Sequence, residues 1–91
     1  MKTYRVIVSK SALKKLSKLD RPVREQIVAW MEKNLEGTTN PRLHGKPLTG
    51  DKREYWRYRV GSYRIIARIE DDVLVIVAAD IAHRKHVYKM R

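Results

Sequence analysis

The stretch that decides the fold is YWRYRVGSYR, residues 55–64. Its Gly-Ser pair, residues 61–62, stands between two runs in which apolar and basic side chains alternate. A two-residue loop with glycine first is typical of a type II′ β-hairpin, and such a turn fixes how the two strands pair. The register that follows places Arg59 directly opposite Arg64, so two cations become cross-strand neighbours.

Alternation along the paired strands separates this hairpin into two faces. The apolar face, which we expect to meet the core, carries Trp56, Tyr58, Val60, Tyr63, Ile65 and Ala67. The opposite, basic face carries Arg57, Arg59, Arg64, Ile66 and Arg68. Like charges directly opposite each other cost up to about 1 kcal/mol, whereas the planar guanidinium fork suits phosphate oxygens. The pattern favours a phosphate-binding pocket over a face that is merely solvated.

Apolar residues at helical spacing predict two helices before the hairpin. The first begins after Ser9 or Ser11 and ends near Asp20, and its apolar stripe consists of Ala12, Leu13, Leu16 and Leu19. The second begins at Pro22 and ends near Gly37, and its apolar face consists of Val23, Ile27, Trp30, Met31 and Leu35. So short a link between them predicts an antiparallel helical hairpin.

Four β-rich runs complete the prediction, at residues 3–8, 55–60, 63–69 and 73–81, and residues 38–54 are expected to form a loop. The last run is almost entirely apolar, which indicates a central strand. The order predicts an α+β fold in which an N-terminal strand and a helical hairpin pack on a mostly antiparallel sheet of about four strands. We expect residues 1–91 to form one domain.

Composition points to a polyanionic partner. The 91 residues include 21 Lys and Arg against 10 Asp and Glu, a net charge of +11, where a small domain usually carries about 2–8. Such a field suits RNA, DNA or an acidic protein. Cysteine is absent, and no apolar run approaches the roughly 20 residues of a membrane span. We expect a cytoplasmic protein with no membrane contact.

A second basic group closes the chain in IAHRKHVYKMR, residues 81–91. Cations, imidazoles and a phenol together can support RNA phosphodiester transfer, which moves protons and stabilises a crowded phosphate. His83, His86 and Tyr88 are the candidates for proton transfer. The carboxylates share no evident face, and the histidines are scattered without cysteine, so we expect neither a metal nor a cofactor.

Several motifs in order resemble the RelE branch of the RelE/ParE toxin superfamily. They are KLSKLD before the second helix, NPRLHGKPLTG in the loop, then YWRYRVGSYRIIARI and IAHRKHVYKMR. The resemblance covers essentially the whole chain. It implies the toxin of a type II toxin–antitoxin system, an endoribonuclease that cuts mRNA in the ribosomal A site. It also implies inhibition by an acidic, RelB-like cognate antitoxin, with which the toxin would bind operator DNA.

The resemblance further implies roles for single residues. Its catalytic set falls on Arg57, Arg59, Arg64, Arg84 and Tyr88. We expect further basic residues to contact RNA or the ribosome, namely Lys52, Arg53, Arg68, Lys85 and Lys89.

The chain departs from the family pattern in two places. It has arginines where some members have lysines on the first hairpin strand, and Ala82 where a glycine is usual. Arginine is a poor general base, so removal of the 2′-hydroxyl proton would fall to His83, His86 or Tyr88, or be assisted only electrostatically. Two other functions stay open, a ParE-like gyrase inhibitor and a non-enzymatic basic RNA-binding protein.

Overall fold

The computed structural model describes residues 2–48 and 55–83. The helices are α1 (Lys10–Ser17) and α2 (Arg21–Asn34). The strands are β1 (Arg5–Val8), β2 (Lys46–Pro47), β3 (Tyr55–Val60), β4 (Tyr63–Glu70) and β5 (Val75–His83). The α+β class predicted from the sequence is confirmed.

The strands form one mixed sheet in the order β1-β5-β4-β3-β2. β1 runs parallel to β5, and every other neighbouring pair is antiparallel. The sheet has five strands in the described residues, where the sequence predicted about four, because β2 lies within the segment 38–54 that was expected to be a loop. A two-residue strand interrupted by proline carries too little alternation to be recognised in a sequence.

The hairpin register predicted from the sequence is confirmed for β3 and β4. Val60 pairs with Tyr63 and Arg59 with Arg64. Gly61 has φ +60°, as the first loop position of a type II′ turn requires. Because the register is as predicted, the basic side chains of the hairpin share the sheet face that is turned away from the helices.

The first helix is shorter than predicted. The side chain of Ser9 caps α1 by accepting a hydrogen bond from the Ala12 amide at 3.1 Å, but the helix ends at Ser17. Ala12 and Leu16 are buried, whereas Leu13 is 59% exposed. Leu13 belongs to the predicted apolar stripe but lies outside the core, because so short a helix touches the sheet along one narrow line.

The core lies between both helices and one face of the sheet. Its largest fully buried side chains are Tyr58, Ile27, Leu35, Ile65 and Ile76. The Tyr58 hydroxyl donates a hydrogen bond of 2.6 Å to the Pro41 carbonyl, and burial raises the pKa of this phenol well above its usual value. The buried hydroxyl thus has a partner, as a polar group inside a core requires.

The last strand begins at Val75 rather than at residue 73. Val73 is 63% exposed, and Leu74 adopts a left-handed backbone with φ +55°. Val73 and Leu74 therefore belong to the turn between β4 and β5. Because both are apolar, the sequence suggested that they were already part of the strand. None of the helices in the described part of the chain is long and apolar enough to span a membrane.

Candidate functional site

An open pocket of about 180 Å³ lies on the sheet face opposite the helices. The residues that line it are Gly45, Lys46, Arg57, Arg59 and Arg64. Four of these five carry a positive charge, and none carries a negative one. We call this feature the cationic pocket.

Arg64 is the most unusual member of the cationic pocket. The residue is only 6% exposed, and within the described residues neither Nε nor Nη1 has a hydrogen-bond partner. Leaving a buried donor unpaired costs about 1–3 kcal/mol, and more for a charged group. A residue held in this state points to a ligand with acceptor oxygens that would complete its hydrogen bonds.

The one carboxylate on the neighbouring strand β5 is engaged elsewhere. Asp80 lies on β5 and pairs with Ile66, the second residue after Arg64 along β4. One of its oxygens, Oδ1, lies 2.7 Å from Lys15 Nζ and also accepts a hydrogen bond from the Ile81 amide. Among the described residues no ion pair reaches the cationic pocket, so its charges are not balanced from within.

Gly45 brings β2 onto the edge of the sheet. Its φ of +83° favours glycine, and a Cβ at this position would collide with the backbone oxygen of Arg57. The preceding residue, His44, accepts a hydrogen bond of 2.7 Å at its carbonyl from Trp56 Nε1. This close approach lets Lys46 pair directly with Arg57 and adds a fourth cation to the pocket.

The segment that leads to β2 is tied to the far end of the sheet. Arg42 binds Asp71 through two hydrogen bonds of 2.9 and 3.1 Å, and the Tyr4 hydroxyl donates to the same carboxylate at 2.6 Å. The hydrogen bonds from Arg42 and Tyr4 lower the pKa of Asp71, and the bond to Asp71 raises the pKa of Tyr4. These contacts hold the segment that precedes Gly45 against the sheet.

Two residues predicted for the site lie away from the pocket. Arg68 shares the sheet face of Arg64 but is four residues further along β4, roughly 13 Å away at the usual rise of a strand. It forms an ion pair of 2.7 Å with Glu70, whose hydrogen bond raises the pKa of Arg68. Its charge is therefore already balanced.

His83 lies on the other face of the sheet. It pairs with Tyr63 on β4, one position from the pair formed by Arg64 and Ala82. The rings of His83 and Tyr63 meet edge to face with centroids 5.2 Å apart. Because neighbouring residues of a strand point to opposite faces, the imidazole is turned away from the cationic pocket.

The remaining predicted site residues lie outside the described residues. They are Lys52, Arg53, Arg84, Lys85, His86, Tyr88 and Lys89. Of the predicted catalytic set, the described part of the chain therefore brings together Arg57, Arg59 and Arg64.

Lys46 was missed by the sequence prediction. It stands in a segment rich in proline and glycine, and the pairing of β2 with β3 gives it its place. The signal present in the sequence was Gly45 directly before a lysine and a proline, a pattern that indicates a close backbone approach followed by an edge strand. In residues 2–48 and 55–83 no three His, Asp or Glu side chains form a group that could hold a metal ion.

Comparisons with known proteins agree with the fold described above. A family model for the ParE toxin of type II toxin–antitoxin systems (parDE) matches residues 6–88. A chain of the toxin–antitoxin complex RelBE2 from Mycobacterium tuberculosis is 28% identical, with a TM-score of 0.82 over 92% of this chain and 94% of that one. A chain of the archaeal RelE–RelB complex from Pyrococcus horikoshii is also 28% identical, with a TM-score of 0.68 over 90% and 96% of the two chains.

A mutant of Escherichia coli RelE in the free state is similar in fold, with 23% identity and a TM-score of 0.74 over 94% of this chain and 88% of that one. The comparison with curated proteins found no match. The family match covers most of the chain and the structural matches share its architecture, in agreement with the resemblance seen in the motifs. The chain belongs to the ParE toxin family of type II toxin–antitoxin systems, within the RelE/ParE superfamily.

Proposed function

We propose that this toxin is an endoribonuclease that cuts mRNA in the ribosomal A site and so inhibits translation. The observation that carries the proposal is Arg64, a buried guanidinium whose Nε and Nη1 have no partner within the described residues, in a pocket lined by three further cations and Gly45. A phosphodiester supplies the acceptor oxygens that such a pocket lacks.

The proposed reaction is attack of the 2′-oxygen on the neighbouring phosphorus. The bond from phosphorus to the 5′-oxygen breaks, and a 2′,3′-cyclic phosphate remains on the upstream fragment. Negative charge accumulates on the non-bridging oxygens in the transition state. Arg64 would contact these oxygens from the buried side, and Arg57 and Arg59 from the more exposed side.

Pre-positioned cations suit this chemistry because they need not reorganise when the charge develops. A single donor of this kind typically contributes about 100-fold to 1000-fold in rate. Arginine keeps its proton at neutral pH, so we assign the three arginines to binding and electrostatic stabilisation, and proton transfer to other groups.

The predicted residues outside the described part of the chain keep their proposed roles. Arg84 and Tyr88 complete the catalytic set, and His86 stays a candidate for proton transfer. RNA or ribosome contacts are assigned to Lys52, Arg53, Lys85 and Lys89. We give His83 no role in the cationic pocket because it faces away, and Arg68 only a weak RNA contact because Glu70 already balances it.

The net charge of +11 supports a polyanionic target. A ribosome presents a dense field of RNA phosphates, which would steer a small cationic protein towards it. The same charge suits an acidic antitoxin. Because the similar chains from M. tuberculosis and P. horikoshii were solved in RelBE complexes, we propose a RelB-like partner that inhibits the toxin. We also propose that the pair binds operator DNA.

A second function, inhibition of gyrase, is favoured by the ParE name of the matching family model. The two functions require different surfaces. A nuclease needs a pocket that can hold a phosphodiester, and an inhibitor of gyrase needs none. The Arg64 donors that have no partner among the described residues therefore favour the nuclease.

The test is to incubate the purified toxin with ribosomes that hold a defined mRNA, and to map the 3′ ends of the fragments. In parallel, DNA supercoiling by gyrase is measured with the same toxin preparation. We expect a cut within the A-site codon and unchanged supercoiling. Intact mRNA with inhibited gyrase would establish the ParE-like function instead, and intact mRNA with ribosome binding would indicate a non-enzymatic RNA-binding protein.

A further inference from the structure

The cationic pocket contains three arginines and one lysine. A guanidinium binds its proton too tightly to exchange it in catalysis, whereas a lysine ammonium can serve as an acid. The 5′-oxygen that leaves during phosphodiester cleavage needs a proton, because an alkoxide is a poor leaving group. Within the described lining of the pocket, Lys46 is the residue whose side chain can provide one.

The strand order places Lys46 across the pocket from Arg64. β3 lies between β2 and β4, so the strands that carry these two residues are roughly 10 Å apart. A phosphate bound by Arg64 from one side would have its opposite side open to Lys46. The departing 5′-oxygen lies opposite the attacking 2′-oxygen and is none of the non-bridging oxygens that Arg64 contacts, so it is free to face Lys46.

Two features hold Lys46 at the pocket and leave its ammonium free to meet a ligand. Gly45 lies so close to the backbone of Arg57 that this contact fixes the start of β2. Lys46 then pairs with Arg57 within the sheet. The side chain itself is exposed. In the part of the chain that the structure describes, no carboxylate holds its ammonium.

We propose that Lys46 is a catalytic residue that protonates the departing 5′-oxygen. The proposal rests on the RNA cleavage proposed above. As the 2′-oxygen forms its bond to phosphorus, the bond to the 5′-oxygen breaks and that oxygen takes a proton from Lys46 Nζ. The proton of the 2′-hydroxyl passes to solvent, and the neutral amine then regains a proton from water.

The test compares two mRNAs on the ribosome under single-turnover conditions. One carries the ordinary 5′-oxygen at the scissile position and the other a bridging 5′-sulfur, which departs as a thiolate without needing a proton. The variants are Lys46→Arg, which keeps the charge, and Lys46→Met, which removes it. Lys33→Arg, on the exposed surface of α2, is the matched control, and circular dichroism establishes that each variant is folded.

We expect both Lys46 variants to cut the oxygen mRNA about 100-fold more slowly than wild type. Lys46→Arg should cut the sulfur mRNA at nearly the wild-type rate, and Lys33→Arg should behave as wild type with both. Equal losses on both mRNAs would overturn the proposal and leave Lys46 a binding residue. Wild-type rates for Lys46→Arg on the oxygen mRNA would also overturn it, with the proposed nuclease intact. If wild type cuts neither mRNA, the proposed function itself has failed.

Discussion

The arginines at the two ends of the sheet differ in whether a carboxylate neutralises them. At the turn between β4 and β5, the half-exposed side chains of Arg42 and Arg68 each bind a carboxylate, Asp71 and Glu70 respectively. In the cationic pocket near the β3–β4 turn, Arg64 is buried and two of its donors have no partner in the described residues. Stability alone would favour the reverse, because an unpaired charge costs little in water and much when buried.

This contrast separates what the fold needs from what the site needs. The ion pairs at the β4–β5 turn are half exposed, and such pairs usually contribute less than about 1 kcal/mol. The pair formed by Arg42 and Asp71 holds the segment before β2. The cationic pocket instead concentrates repulsion, and a phosphodiester would relieve it. We therefore expect substitutions in the pocket to change activity and substitutions at the turn to change stability.

The largest effect is expected for Arg64→Met, which keeps an unbranched apolar stem and removes the charge. Cleavage of ribosome-bound mRNA should fall by at least about 100-fold. Stability should be unchanged or higher by about 1 kcal/mol, because an unpaired buried charge is removed. Single-turnover cleavage and urea unfolding measure the two effects. A less stable variant that still cuts mRNA would show that Arg64 is a structural residue.

A comparison of two glycines tests how the pocket is held together. Gly45 and Gly37 both have positive φ, but a Cβ would meet the Arg57 backbone oxygen at Gly45 and open space at Gly37. Both alanine variants should lose about 1 kcal/mol from backbone strain. Gly45→Ala should lose at least about 1 kcal/mol more and should cut mRNA slowly, because β2 is displaced.

Gly37→Ala is the control for strain, and it should keep wild-type activity. Urea unfolding and cleavage rates of both variants provide the comparison. Equal losses of stability, with cleavage preserved in both, would mean that the close approach of Gly45 does not position the pocket.

A smaller effect is expected for Arg59→Thr. Arg59 is exposed and directly faces Arg64, so its removal relieves a like-charge pair and should raise stability by a few tenths of a kcal/mol. Cleavage should fall by about tenfold, as expected when one charge-assisted contact is lost. Higher salt should reduce the gain in stability, since it screens the repulsion in wild type. A clear loss of stability would indicate that the pair is structural.

The smallest effect is expected at the turn, for Asp71→Asn. Contacts with Arg42 and Tyr4 lower the pKa of Asp71 from its usual 3.8. The stabilisation is therefore complete above the pKa of the unfolded chain and is lost as pH falls through the lower pKa of the folded protein. At pH 7 the variant should lose less than about 1 kcal/mol, with cleavage unchanged.

The difference between wild type and Asp71→Asn should shrink as the pH is lowered below about 4. Urea unfolding at a series of pH values measures it. A difference that stays constant into acid would show that the carboxylate charge contributes nothing to this turn.

The hairpin was predictable from the sequence because its information is local. A glycine in the first loop position fixed the register, and the register fixed which arginines share a face. The family motifs then indicated the fold. The parallel pairing of β1 with β5 was not predicted, because the two strands stand at opposite ends of the chain and nothing local specifies their contact.

Two features of the site were not predicted from the sequence. The burial of Arg64 depends on packing across strands, and alternation alone would leave an arginine on that face exposed to water. Lys46 reaches the pocket through a two-residue strand that contains a proline. Leu13 shows the converse, since its spacing was helical and the helix proved too short to bury it.

The central claim is that the cationic pocket promotes attack by a 2′-hydroxyl, and replacing one sugar tests it most directly. An mRNA with a single 2′-deoxyribose just upstream of the scissile bond is presented on translating ribosomes beside its all-ribose counterpart. We predict that the toxin cuts the all-ribose mRNA, leaves a 2′,3′-cyclic phosphate, and does not cut the deoxy mRNA at that position. Cutting of the deoxy mRNA at the same bond would contradict the account, because the nucleophile would then be water.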